Sequence, residues 1–121
     1  MDFANKQPIY MQIADYFCEN ILKKEWKENE KIPSVREIAV QVEVNPNTAM
    51  RAFTFLQDQG IIYNKRGIGY FVSEDGYKKA LGMRKTEFVR KDIPYLFKTM
   101  NLLSLKLDDL IQLYKKYFSL T

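Results

Sequence analysis

Nine residues between positions 34 and 67 have the side-chain types and the spacing expected of contacts to double-stranded DNA. Asparagine pairs with adenine, threonine contacts a thymine methyl or a phosphate, and arginine binds guanine or the phosphate backbone. Glycine lets a main chain approach its ligand closely. The candidate DNA contacts are Ser34, Arg36, Asn45, Asn47, Thr48, Arg51, Lys65, Arg66 and Gly67.

The rest of the composition argues against catalysis and metal binding. The chain of 121 residues has no histidine and a single cysteine, Cys18. A zinc cluster needs several Cys or His ligands, and an internal disulfide needs a second cysteine. No nucleophile–base pair or glycine-rich phosphate loop stands in a catalytic context. We expect no enzymatic activity, no metal and no cofactor, and we expect Cys18 to be an ordinary half-buried residue.

Neither a membrane span nor a secretion signal is predicted. No apolar run approaches the roughly 20 residues that a spanning helix needs. The N-terminus also lacks a basic stretch followed by an apolar one. The sequence therefore predicts a cytoplasmic protein without a membrane partner.

The formal net charge of +4 is distributed unevenly along the chain. Residues 1–76 hold nine Lys and Arg against eleven Asp and Glu, a net charge of about −2, whereas residues 77–121 hold ten against four, or +6. Bulk charge does not make the first part a nucleic-acid binder. The function depends on which faces of its elements carry the cations.

Two helices are predicted before residue 43. Apolar residues recur at three- and four-residue spacing after Pro8, up to about Lys24. Ser34 and Glu37 then have the S-x-x-E spacing of a capping box, which predicts a helix from Ser34 to about Val42. Arg36 lies in the first turn of this helix, where it can reach a phosphate or a guanine edge.

A third helix carries most of the candidate contacts. Asn45 is a suitable N-cap, Pro46 suits the first helical position, and Gly60 offers a left-handed stop. At about 100° per residue the helix has two faces. The inward face is expected to hold Ala49, Ala52, Phe53 and Leu56, and the outward face Asn47, Thr48, Arg51, Thr54 and Phe55.

The pattern then changes from helical to β. Ile61–Lys65 and Tyr70–Val72 favour strands, and Arg66-Gly67-Ile68-Gly69 separates them as a glycine-rich turn. These residues predict a hairpin with a basic tip that can contact a phosphate or enter a minor groove.

The segment PSVREIAVQVEVNPNTAMRAFTFLQDQGIIYNKRGIGYFV resembles the winged-helix domain of the GntR family of bacterial transcription regulators. Its PSxRE element, its VNPNT helix start and its RGxGxFV wing are similar to the YtrA-type subfamily. With PIYMQIADYF before it, the resemblance covers about residues 7–73. It implies that Ser34, Arg36, the start of the third helix and the wing around Gly67 contact DNA. Many members carry base-reading arginines where this chain has Pro46 and Met50, which leaves Arg51 as the basic residue of this helix.

The remaining residues predict a helical tail. A first helix is expected to begin at Glu74, with Ser73 as its cap. Further helices are expected over about Thr86–Leu103, with a kink or short break near Asp92 because of Pro94, and over about Leu107–Phe118. An isolated tail cannot bury this much apolar surface, so a partner tail and a homodimer are expected. The resemblance implies the same use. The candidate dimer contacts are Phe88, Leu96, Phe97, Met100, Leu103, Leu110, Ile111, Tyr114 and Phe118.

The sequence therefore predicts a mostly α protein: an α+β winged helix-turn-helix in residues 1–75 with a short all-α dimerisation segment in residues 76–121. Its predicted function is a homodimeric repressor at an inverted-repeat operator. The resemblance further implies control of an operon for an ABC-type transporter. Two alternatives stay open, a winged helix that binds another protein and an architectural DNA binder without sequence preference. The sequence identifies no small-molecule effector, and the tail lysines and arginines are either a solvated face or further phosphate contacts.

Overall fold

The computed structural model describes residues 7–119 and confirms the predicted fold class. It is mostly helical, with one two-stranded antiparallel sheet. The elements are α1 (Ile9–Leu22), α2 (Val35–Gln41), α3 (Pro46–Asp58), β1 (Ile62–Lys65), β2 (Gly69–Val72), α4 (Gly76–Glu87), a π-helical turn (Phe88–Asp92), α5 (Ile93–Leu102) and α6 (Leu107–Tyr117).

The chain forms two compact units, the first ending at Arg84 and the second beginning at Lys85. The first is the winged helix. Ala80 of α4 is fully buried in its core. Arg84 also lies 3.3 Å from a carboxylate oxygen of Asp15 on α1. The start of α4 therefore packs with the winged helix, while a functional boundary at residues 75 and 76 stays a prediction.

Aromatic rings form the centre of the winged-helix core. Phe17 of α1 and Phe53 of α3 are fully buried, and their ring centroids are 5.0 Å apart. Phe53 also meets Tyr70 of β2 edge-on at 4.7 Å. Burying these rings fixes α3 against both α1 and the wing. The predicted inward face of α3 is confirmed, since Ala49, Ala52, Phe53 and Leu56 are all buried.

One residue of α3 is not where the sequence pattern placed it. Phe55 was expected on the outward face, but it is half-buried against the core. Its ring meets the Tyr10 ring of α1 edge-on at a centroid distance of 6.5 Å. It lies at the flank of the outward face, on the side where α1 packs.

The turn between α2 and α3 is a Schellman motif. The Val44 N–H donates to the Ala39 carbonyl at 2.9 Å, and the Glu43 N–H donates to the Val40 carbonyl at 3.3 Å. Glu43 has a φ of 57° and so adopts the left-handed conformation that usually favours glycine. The tight turn brings the start of α3 close to the end of α2.

The wing pairs with more of the chain than the sequence predicted. Its register places Tyr63 opposite Phe71 and Lys65 opposite Gly69. The segment before α2 is a polar connector, residues 25–31, for which the sequence predicted no strand. It forms hydrogen bonds with β2. The Asn29 N–H donates to Val72 O at 2.7 Å, and the Ile32 N–H donates to Tyr70 O at 2.9 Å. The connector therefore extends the edge of the sheet and anchors the wing.

The tail helices follow the prediction with two differences. The first begins at Gly76, two residues later than expected, because Ser73–Asp75 form a turn closed by the Gly76 N–H on Ser73 O at 2.9 Å. Near Asp92 the helix widens into the π-helical turn instead of breaking. Pro94 is the second residue of α5, directly after the π-helical turn. It has no N–H to donate to the preceding turn, and the helix is irregular at this point.

Candidate nucleic-acid interface

The start of α2 presents Arg36 on a capped helix end. The Ser34 hydroxyl accepts from the Glu37 N–H at 3.1 Å, and the Glu37 carboxylate accepts from the Ser34 N–H at 3.0 Å. The bond from the Ser34 N–H holds the pKa of Glu37 below its usual range. The predicted capping box is confirmed, and Arg36 is exposed in the first turn beside it. Ser34 therefore has a structural role in addition to any phosphate contact.

The start of α3 has the same construction. The Asn45 side-chain oxygen accepts from the Asn47 N–H at 2.7 Å, so Asn45 is the N-cap that the sequence predicts. The Asn47 side chain is exposed and makes no side-chain hydrogen bond to residues 7–119. Thr48 is half-buried. Asn47 is thus the residue of this turn whose full hydrogen-bonding capacity remains available to a base edge.

Arg51 lies one turn further along α3, where it is stacked on an aromatic ring. Its guanidinium carbon is 4.2 Å from the centroid of the Tyr10 ring on α1. The apolar repeat that predicts α1 includes Tyr10, but it gives no sign of this contact. Helical periodicity within α1 could not reveal it, because the partner lies on another helix.

The wing tip exposes Lys65, Arg66 and Gly67. The Ile68 N–H donates to Lys65 O at 2.9 Å, and Gly67 has a φ of 79°, which fits the third position of a type II turn. The Lys65 ammonium lies 4.9 Å from the Phe71 ring centroid, and that ring stacks on Tyr63 at 5.6 Å. Lys65, one of the two cations at the tip, thus lies beside the Phe71 ring, which is itself stacked on Tyr63.

The cations at these positions are not engaged with carboxylates. Arg36, Arg51, Lys65 and Arg66 are exposed, and none forms an ion pair with residues 7–119. Five other cations do form such pairs: Lys23 with Glu19, Lys79 with Asp75, Arg84 with Asp15, and Arg90 and Lys91 with Glu87. The bonds from Arg90 and Lys91 hold the pKa of Glu87 below its usual range. Four of these five ion-paired cations lie in the tail, and none of the five is among the nine candidate DNA contacts.

The tail exposes an apolar surface within its own unit. Phe97 is 57% exposed and Phe118 is 56% exposed. Met100, in contrast, is buried, and Leu96 and Leu110 are half-buried. The other predicted dimer contacts, Phe88, Leu103, Ile111 and Tyr114, are exposed. Exposed apolar surfaces of this kind are typical of sites where proteins associate.

Within residues 7–119 no group of His, Cys, Asp or Glu is arranged to hold a metal ion, and no helix is long and apolar enough to cross a bilayer. Cys18 is fully buried instead of half-buried, and burial raises the pKa of its thiol to about 12. A surface groove of about 340 Å³ lies beside Trp26 and Tyr77, lined also by Ile21, Lys24, Lys27 and Glu28.

Comparison with known proteins identifies this arrangement. The family model of the bacterial regulatory proteins of the gntR family matches residues 9–72, from the start of α1 to the end of β2. The chain belongs to the GntR family. The HTH-type transcriptional repressor YtrA of Bacillus subtilis is 36% identical over 96 residues, 79% of this chain and 73% of YtrA. The uncharacterized regulator YhcF of the same organism is 34% identical over 91% of this chain and 89% of its own length.

Solved structures of GntR proteins have the same fold. A transcriptional regulator of this family from Bacteroides thetaiotaomicron has a TM-score of 0.75 at 38% identity, over 93% of this chain and 97% of that one. The DNA-binding domain of AraR, solved in complex with the operator ORR3, has a TM-score of 0.53 at 30% identity, over 55% of this chain and 80% of that one. The protein is therefore a DNA-binding transcriptional regulator of the GntR type.

Proposed function

We propose that this GntR regulator is a homodimeric repressor that reads an inverted-repeat operator. The observation that carries the proposal is the set of four exposed cations, Arg36, Arg51, Lys65 and Arg66, that are free of ion pairs within residues 7–119. An exposed cation that is not neutralised by a neighbouring carboxylate can replace the counterions condensed on DNA phosphates. The same elements expose Asn47, whose amide suits adenine.

In this proposal the first turns of α3 read the base sequence, and the residues around α3 contact the DNA backbone. In a helix-turn-helix the N-terminal residues of the second helix contact base edges. Asn47, Thr48 and Arg51 occupy this part of α3. Arg36 and the wing residues Lys65, Arg66 and Gly67 then contact phosphates or the minor groove. Ser34 and Asn45 hold the two helix starts through their caps, and their remaining polar groups lie next to the same backbone.

The homodimer is proposed to form through the tail. Its exposed apolar residues need a partner surface, and a second copy offers an identical one. In a dimer, two α3 helices would read half-sites about one helical turn apart, roughly 34–36 Å. Repression is proposed because the relative YtrA, which is 36% identical, is named a transcriptional repressor. Control of an ABC-transporter operon is proposed from the subfamily resemblance. A cytoplasmic location is proposed because the chain belongs to a family of bacterial DNA-binding regulators.

A salt-dependent binding assay tests the proposal. Fluorescence anisotropy would compare a labelled duplex from immediately upstream of the gene with a shuffled duplex of the same composition. We expect the native duplex to bind at least about a hundredfold more tightly. If all four cations of each protomer contact phosphates, the logarithm of affinity should fall with the logarithm of salt concentration with a slope of about −7.

Matched variants identify the cations responsible. Arg36→Gln should make the slope shallower by about 2 per dimer, because one phosphate contact per protomer is lost. Lys23→Gln is the control, since Lys23 is ion-paired with Glu19 on α1. It should leave the slope unchanged. Equal binding of both duplexes, abolished by moderate salt, would contradict sequence-specific regulation and favour an architectural or scaffold role.

A further inference from the structure

The contact between Tyr10 and Arg51 joins the first helix to the proposed reading surface. The guanidinium carbon lies 4.2 Å from the ring centroid, within the range of a cation–π interaction. Tyr10 is half-buried and Arg51 is exposed. The ring itself is held by Phe55, which meets it edge-on at a centroid distance of 6.5 Å. Arg51 therefore rests on a ring that the winged-helix core keeps in place.

The cation–π contact leaves the N–H donors of the guanidinium without a partner within residues 7–119. The group has five such donors, all in its own plane. Arg51 makes no hydrogen bond or ion pair with residues 7–119. An exposed arginine that is not held loses much of its rotamer freedom when it binds DNA. A stacked arginine has given up part of that freedom already.

We propose that Tyr10 is a positioning residue for DNA recognition: its ring orients Arg51 so that the guanidinium edge faces the DNA. The inference rests on the proposed contact between Arg51 and the operator. It assigns to α1 a part in sequence reading that is separate from its part in the core. Tyr10 acts through Arg51, so its own hydroxyl is not required.

A double-mutant cycle tests this assignment on the full-length protein. The variants are Tyr10→Leu, which removes the aromatic face but keeps apolar volume, Tyr10→Phe, which keeps the face, Arg51→Gln, and the double variant Tyr10→Leu with Arg51→Gln. Anisotropy with the operator and with the shuffled duplex would give both affinity and preference. At an exposed site a cation–π contact corresponds to about a two- to fivefold change, and two copies per dimer give about four- to twentyfivefold.

The expected results separate positioning from folding. Tyr10→Leu should weaken operator binding by that factor and leave the shuffled duplex less affected, while Tyr10→Phe should bind as the wild type does. In the Arg51→Gln background, Tyr10→Leu should have no further effect. In the free protein, NMR should show upfield ring-current shifts of the Arg51 side chain in the wild type and in Tyr10→Phe that are lost in Tyr10→Leu. Thermal unfolding identifies a variant weakened by misfolding.

Four results would overturn the inference. Tyr10→Phe as weak as Tyr10→Leu would assign the effect to the hydroxyl. An undiminished effect of Tyr10→Leu in the Arg51→Gln background would show that Tyr10 acts independently. Tighter binding by Tyr10→Leu would mean that stacking holds Arg51 away from DNA. If the Arg51→Gln variant binds the operator as tightly as the wild type does, Arg51 does not contribute to operator binding. A wild-type protein without operator preference would refute the proposed function and the inference with it, whereas these four results leave that preference intact.

Discussion

Substituting Phe97 tests how much this side chain contributes to the free energy of the proposed dimerisation. Phe97 is 57% exposed on α5. For a phenylalanine of about 200 Å², this leaves roughly 110 Å² uncovered. Covering that area at about 25 cal/mol/Å² contributes about 3 kcal/mol per protomer. If a partner covers half of it in both protomers, Phe97→Asp should weaken dimerisation by at least about 3 kcal/mol, or about a hundredfold in Kd.

The assay is sedimentation equilibrium of the full-length protein over a wide concentration range, with circular dichroism to verify folding. Leu102→Asp is the matched control, because Leu102 is 82% exposed but lies about 140° around α5 from Phe97. We expect Phe97→Asp to be monomeric at concentrations where the wild type and Leu102→Asp are dimeric. Unchanged dimerisation of Phe97→Asp, or equal disruption by both variants, would refute the assignment of this face to the interface.

Four further predictions concern stability and reactivity. Ser34→Ala should lower the free energy of unfolding by about 1 kcal/mol in urea titrations, because the α2 cap is lost; an unchanged midpoint would contradict a stabilising cap. The Glu37 pKa is lowered in the folded state, so its contribution is full above the usual carboxyl value of 4.5 and is lost as pH falls through the folded value. The stability deficit of Glu37→Ala should therefore shrink in acid, and a constant deficit would contradict this. Glu43 adopts the left-handed backbone conformation, which is costly for any residue except glycine. Glu43→Gly should therefore stabilise the protein by about 1 kcal/mol, and a loss of stability would show that the Glu43 side chain makes a compensating interaction. Cys18 should react with a thiol reagent at mildly alkaline pH only when the protein unfolds, and rapid modification of the native protein would contradict its burial and raised pKa.

Local sequence signals predicted the framework of the site well. The capping box of Ser34 and Glu37 and the cap at Asn45 depend on residues two or three positions apart, and the structure confirms both. The inward face of α3 follows from helical periodicity alone. In the same way the glycine-rich turn located the wing tip between two short strands.

Contacts between distant segments were not predictable in this way. Nothing in the composition of the connector indicates that Asn29 pairs with the edge of β2, because the segment lacks a strand-like alternation. The stacking of Arg51 on Tyr10 depends on how α1 crosses α3. The burial of Phe55 depends on the same crossing, which is why the helical pattern alone misplaced it. Near Pro94 the pattern indicated an irregularity but not that it would be a π-helical turn.

If the first turn of α3 reads DNA sequence, Asn47→Ala should reduce the preference for the operator. The measurement is the ratio of operator affinity to shuffled-duplex affinity, with Gln57→Ala, an exposed amide near the end of α3, as the control. We predict that Asn47→Ala lowers this ratio by at least about tenfold and leaves binding of the shuffled duplex unchanged, because a base contact is lost and phosphate contacts are kept. Gln57→Ala should keep the wild-type ratio. An unchanged ratio for Asn47→Ala would mean that the first turn of α3 does not read the DNA sequence.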